Sequence, residues 1–171
     1  MRKVLFAAPL AIFALASATA ALEDRELALP DYKAGFTNYM ISDRLNQDDQ
    51  VISLWANDTA RASARADGTL PDGSVLIGEI YAAQKDAQGE VIESPIGRRV
   101  PGELKAIVLM ERKAAWGDQY SEDMKVGGWE FEVFSPTGKN LSKDTTACRE
   151  CHAPMGENEF TWTLDHIAAA N

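Results

Sequence analysis

Apolar and polar positions alternate along this chain in several short runs separated by turn-forming residues. From Val51 to Ala56, Ile52, Leu54 and Ala56 fall on one side and Val51, Ser53 and Trp55 on the other, the period of an extended segment. Asn57 is then a good N-cap for a short helix over Asp58 to Ala66, with Asp58 in the first turn to suit the helix dipole and Asp67-Gly68 to end it. A single helix from Asp49 to Ala66 competes, because Val51, Trp55 and Thr59 also repeat at helical spacing. Pro71-Asp72-Gly73 forms a turn: proline fixes one dihedral and glycine allows the tight one. Ser74 to Ala83 alternates as a strand, and Gln88-Gly89 turns the chain into Val91 and Ile92. Glu103 to Arg112 is a further strand. Gly127-Gly128 leads into Trp129 to Phe134, with Trp129, Phe131 and Val133 on one face and Glu130, Glu132 and Phe134 on the other. Ser135-Pro136-Thr137-Gly138 closes that run.

Several strands joined by tight turns, with few helices, predict an α+β fold built on a mostly antiparallel sheet. The first 20 residues carry Arg2 and Lys3, an uncharged apolar run from Val4 to Ala16, and the small residues Ala18-Thr19-Ala20. This is the pattern of a secretory signal peptide cut after Ala20. A retained anchor is the alternative, but the apolar stretch is short for a span of ~20 residues. Residues 21–31 read as a lead-in segment, and 32–171 as one domain, long enough to bury a core.

Loss of residues 1–20 removes Arg2 and Lys3 and no acidic group, leaving 15 basic against 26 acidic side chains and a formal charge of -11. Such a surface does not suit nucleic acid. It could steer a small basic redox partner, such as a cytochrome, or simply keep the protein dispersed. No later stretch is apolar enough for a stable membrane insertion, so a periplasmic location is expected.

The two cysteines of the chain both lie in Cys148-Arg149-Glu150-Cys151-His152. In an exported protein, CxxCH reads as a c-type haem attachment site. Cys148 and Cys151 would form the thioethers of one covalent haem c, and His152 would bind iron on the proximal side. A thioredoxin-type dithiol needs a βαβ context that the pattern lacks. A zinc site could draw on Cys148, Cys151 and His166 but has no second paired motif. A disulfide across the two cysteines is a third alternative. The motif follows the last strand, which argues against the small helical cytochromes that carry it near the mature N-terminus.

The chain resembles the cytochrome P-460 family, which includes the beta-type cytochromes c-prime. The resemblance rests on Trp55-Ala56-Asn57-Asp58-Thr59-Ala60, Leu70-Pro71-Asp72-Gly73-Ser74-Val75-Leu76, Gly128-Trp129-Glu130-Phe131 with Phe134 and Gly138, and Ala147 to Pro154, in that order. It spans roughly Tyr32 to Thr163. It implies haem c packed against an antiparallel sheet, five-coordinate iron and a homodimer. It also implies either binding of nitric oxide, carbon monoxide or a similar small ligand, or oxidation of hydroxylamine by an oxidoreductase. Hydroxylamine-oxidising members carry a lysine joined to the haem on the strand after the Pro-Asp-Gly turn. The matching position falls near Gly78 or Glu79, and no lysine occurs between Ser74 and Gln84.

The sixth position of the iron separates ligand binding from electron transfer, because electron carriers often place a methionine there. Met40, Met110 and Met124 are the candidates; Met155 stands only three residues past His152 and can hardly reach the opposite side. The resemblance favours an open position. Phe36, Leu54, Trp55, Tyr81 and Phe131 could line it, or serve as ordinary core. Glu130 and Glu132 read as exposed charge on a half-buried strand, Arg98-Arg99 as a solvated hairpin end, and His166 as surface.

Overall fold

A computed structural model describes residues 27–114 and 116–170. The expected signal peptide and most of the lead-in lie outside the described residues. Five strands form one antiparallel sheet in the order β1-β2-β3-β4-β5: β1 Thr37–Asp43, β2 Gln50–Ala56, β3 Val75–Ala83, β4 Pro101–Arg112 and β5 Trp129–Phe134. Among the described residues, four short helices accompany it: α1 Tyr32–Gly35, α2 Asp58–Asp67, α3 Thr146–His152 and α4 Leu164–Ala169. A 3-10 turn over Ala153–Asn158 joins α3 to the chain that leads into α4. The α+β expectation holds.

The split of strand and helix at Asn57 is the observed one, and the long-helix alternative fails. Asn57 has extended backbone, and its Oδ1 accepts from the N–H of Ala60 at 3.0 Å and from that of Val75 at 3.2 Å. Its amide nitrogen donates to the Gly73 carbonyl at 2.8 Å. One side chain therefore caps α2 and ties it to the turn before β3; such a cap contributes about 1 kcal/mol. In that turn Gly73 takes a φ of 85°, which a side chain would resist.

Register assigns each strand residue to a face. On one face lie Ile52, Leu54 and Ala56 of β2, Leu76, Gly78 and Ile80 of β3, Val108 and Met110 of β4, and Phe131 and Val133 of β5. Part of that face meets a core of Ala56, Ala60, Ala64, Leu70, Leu76, Val126, Trp129, Phe131 and Ile167, which brings α2 and α4 over the sheet. Trp129 and Phe131 are almost fully buried there, and each contributes on the order of 1.5–3 kcal/mol by leaving water. The opposite face carries a second core of Leu27, Tyr32, Ile77, Ile107, Leu109 and Phe134, covered by the N-terminal segment and α1.

A register shift between Asn38 and Met40 interrupts β1. Tyr39, at that shift, packs on the first core and shares a hydrogen bond of 2.9 Å with the Thr163 hydroxyl. Burial pushes its phenol pKa up to about 12. At the other end of the sheet, Arg99 is structural: it donates to the carbonyls of Gln47 at 2.6 Å and Gln50 at 3.1 Å, clamping the arm between β3 and β4 to the β1–β2 turn.

Candidate haem site

The Cys148–His152 motif occupies the last turn and a half of α3. Asp144 Oδ1 accepts from the Thr146 N–H at 2.9 Å just before that helix starts. Cys148, Cys151 and His152 are spaced i, i+3 and i+4, so the helix presents them together. Cys151 is exposed, and Cys148 is half-buried against the first core. The His152 ring lies 5.3 Å from the Phe131 ring, centroid to centroid.

Just beyond, Glu159 and Phe160 both take left-handed backbone, with φ of 54° and 61°. This tight reversal turns the Phe160 carbonyl back onto the motif, where it meets His152 Nδ1 at 2.7 Å. Two contacts hold the reversal. The Phe160 N–H donates to the Met155 carbonyl at 2.9 Å, and the Glu159 carboxylate pairs with Arg112 of β4. Arg112 also donates to the Leu70 carbonyl at 2.5 Å. The Phe160 ring fits against Gly127, where an added Cβ would come within 2.7 Å of it. Burial lowers the His152 pKa, opposed in part by the bond to Phe160, so the imidazole favours its neutral form.

Glu130 and Glu132 overturn the expectation of exposed charge. Both are buried, Glu130 completely. Its carboxylate pairs with Arg149, which sits inside the CxxCH motif and is itself 1% exposed. Gln119 Nε2 and Tyr120 Oη also donate to Glu130, at 3.0 and 3.1 Å. The guanidinium carbon lies 3.5 Å from the Tyr120 ring centroid and 5.4 Å from that of Phe131. Sequence reasoning missed this network. Alternation read the glutamates as solvent-facing, and nothing local marks the second residue of CxxCH as buried.

Of the five residues suggested as a lining, Leu54 and Phe131 share the sheet face that His152 approaches. Trp55 and Tyr81 belong to the opposite face by register, and Phe36 packs on the second core. Met40 and Met110 fall on the His152 side of the sheet, half-buried, while Met124 lies in the loop between β4 and β5. His166 is exposed on α4. Among the described residues, no group of three or more His, Cys, Asp or Glu side chains is gathered to hold a metal ion, so the zinc alternative finds no cluster.

The two positions considered for a crosslinking lysine part company. Gly78 lies on the His152 side of the sheet, but an added Cβ would meet Val108 Cγ2 at 2.9 Å and Ile52 Cδ1 at 3.1 Å. Glu79 faces the other way and accepts from Tyr32 Oη at 2.8 Å and Trp55 Nε1 at 3.0 Å, with Lys33 Nζ at 2.5 Å. Lys33, which pairs with Glu79 of β3, is thus engaged on the face away from the motif.

A haem needs an apolar wall and a neutral imidazole, and covalent attachment would need reachable thiols; the residues present fit all three. Met40, Ile52, Leu54, Val108 and Val133 form a half-buried apolar row on the same sheet face as Phe131. Among the described residues, no helix is long and apolar enough to cross a membrane. No curated protein matches the chain. The family model for Cytochrome P460 matches residues 30–163, most of the chain. The chain therefore belongs to the cytochrome P460 family, whose members are haem-binding cytochromes.

Proposed function

We propose that this protein is a periplasmic monohaem c-type cytochrome that takes up nitric oxide, carbon monoxide or a similar small ligand. Cys148 and Cys151 hold the haem covalently, and His152 binds iron on one side. The observation that carries this reading is the 2.7 Å bond between His152 Nδ1 and the Phe160 carbonyl. A carbonyl oxygen only accepts, so Nδ1 bears the proton and Nε2 keeps its lone pair. That tautomer binds iron, and the second bond fixes the plane of the ring.

Haem, when bound, supplies a redox-active iron able to take small ligands. The rest is done by the chain. α3 presents both thiols one turn apart, Phe131 packs beside the imidazole, and the row from Met40 to Val133 offers an apolar wall. Those aliphatic side chains offer no hydrogen-bond donor, which suits an uncharged diatomic. The hydroxylamine-oxidising alternative finds no support on β3, where Gly78 is closed in and Glu79 faces away. The homodimer belongs to the same reading through the family resemblance, and a small redox partner through the acidic charge of the mature chain.

The test is spectroscopic. The protein is made in a bacterium that attaches haem c, denatured, and assayed for retained haem; C148A/C151A should release it. The ferrous protein should then respond to carbon monoxide and nitric oxide. A six-coordinate, low-spin spectrum indifferent to carbon monoxide would overturn ligand binding, and haem released on denaturation of the unaltered chain would overturn attachment. A strongly red-shifted ferrous band would restore the oxidoreductase.

A further inference from the structure

Arg149 is an unusual place to find a buried charge. It stands between the two cysteines of the motif, on a seven-residue helix at the edge of the sheet, yet it is 1% exposed. Removing a guanidinium from water is costly unless a carboxylate meets it and the remaining bonds are made. Glu130, 0% exposed, meets it from β5, and Gln119 and Tyr120 also donate to that carboxylate. The pair reaches the histidine through one ring: Phe131 lies 5.4 Å from the guanidinium carbon and 5.3 Å from the His152 ring. Nothing in the attachment chemistry needs either charge.

We infer that the buried Arg149–Glu130 pair tunes the electrostatic environment of the iron bound by His152, its two opposite charges balancing each other beside the haem and so holding its reduction potential. The inference rests on the haem reading above. Ferric haem carries one more positive charge than ferrous haem, so a nearby cation disfavours the ferric form and raises the potential, while an anion lowers it. In a site screened from water such charges act strongly, because little solvent rearranges to oppose them. The pair cancels both tendencies. It acts through charge rather than by touching the ligand, so neither residue is catalytic.

The experiment is potentiometric titration of the haem-loaded protein and of E130Q, R149Q and E130Q/R149Q. E130Q keeps the size of the side chain and removes the anion; its midpoint should rise. R149Q removes the cation; its midpoint should fall. The double variant should return towards the unaltered value. A purely structural role predicts otherwise: both single variants shift in one direction, and the double variant departs at least as far. Shifts of the same sign, or no shift in either variant, overturn the inference. If only one single variant accumulates with haem, the sign of its shift decides alone. Haem retention after denaturation is measured on the unaltered chain alongside. Its failure overturns the haem reading, whereas unchanged potentials in loaded protein overturn only the charge inference.

Discussion

His152 Nδ1 lies 2.7 Å from the carbonyl oxygen of Phe160, eight residues further along the chain. The bond selects one tautomer before any iron arrives. In C148A/C151A, prepared without haem, nitrogen NMR of the imidazole should show a protonated Nδ1 and a bare Nε2. The opposite tautomer, the common one for free histidine, would remove the basis for His152 as a prepared ligand. A pH dependence follows. Burial lowers the folded-state pKa, so the unfolded chain binds the proton first as the solution is acidified. The contribution of this group is therefore full above about pH 6.5 and is lost as pH falls through the folded value. H152N in the same background should flatten the fall in denaturation midpoint below that pH.

Gly127 supports the same bond from behind. Its φ is 53°, and an added Cβ would come within 2.7 Å of the Phe160 ring. G127A should cost about 1–3 kcal/mol, from left-handed strain and from the displaced ring. If Phe160 moves, its carbonyl moves with it. The iron–histidine vibration of the loaded ferrous protein should then shift, while a distant destabilising variant that removes the α2 cap, N57A, should leave it in place.

The contrast between Asn57 and Glu130 shows what a sequence can and cannot display. Asn57 was readable because its role is local: a cap acts on the N–H groups of the next turn, and the residue type names the job. The alternation in β2, β3 and β5 was readable because each side chain repeats every second position. Cys148, Cys151 and His152 were legible as a motif, since their chemistry depends on spacing within one helix. Glu130 was misread because its partner stands 19 residues away, on a helix that the pattern did not reveal. β1 escaped for a related reason: its register shift at Tyr39 breaks the alternation that would have announced it. The carbonyl of Phe160 has no sequence signal, because any residue supplies a carbonyl.

Gly78 allows a direct test of why β3 carries no lysine. G78K places a Cβ against Val108 Cγ2 at 2.9 Å and Ile52 Cδ1 at 3.1 Å, and should cost roughly 1–3 kcal/mol. Shortening Val108 makes room. The cost of G78K should therefore be smaller in a V108A background, a favourable coupling in a double-mutant cycle of denaturation measurements. Additive costs would mean that Val108 does not close the position.

Glu79 gives the last prediction, and its sign follows from opposing effects. Burial pushes the carboxyl pKa up, but the Lys33 ammonium and the hydrogen bonds from Tyr32 and Trp55 outweigh it and hold the value below the ordinary carboxylate range. A folded-state pKa below the unfolded one contributes stability that is fully present above about pH 4.3 and is lost as pH falls through the folded value. E79Q keeps an acceptor for Tyr32 and Trp55 but loses the charge that strengthens those bonds and draws in Lys33. Lys33 is half-exposed, so its share is screened, and the cost at pH 7 should be about 1–3 kcal/mol in all. The same variant compared with the unaltered protein near pH 3 should show a smaller difference. Urea denaturation at the two pH values measures both; a cost that is equal or larger in acid would mean that the carboxylate is not what holds α1 to the sheet.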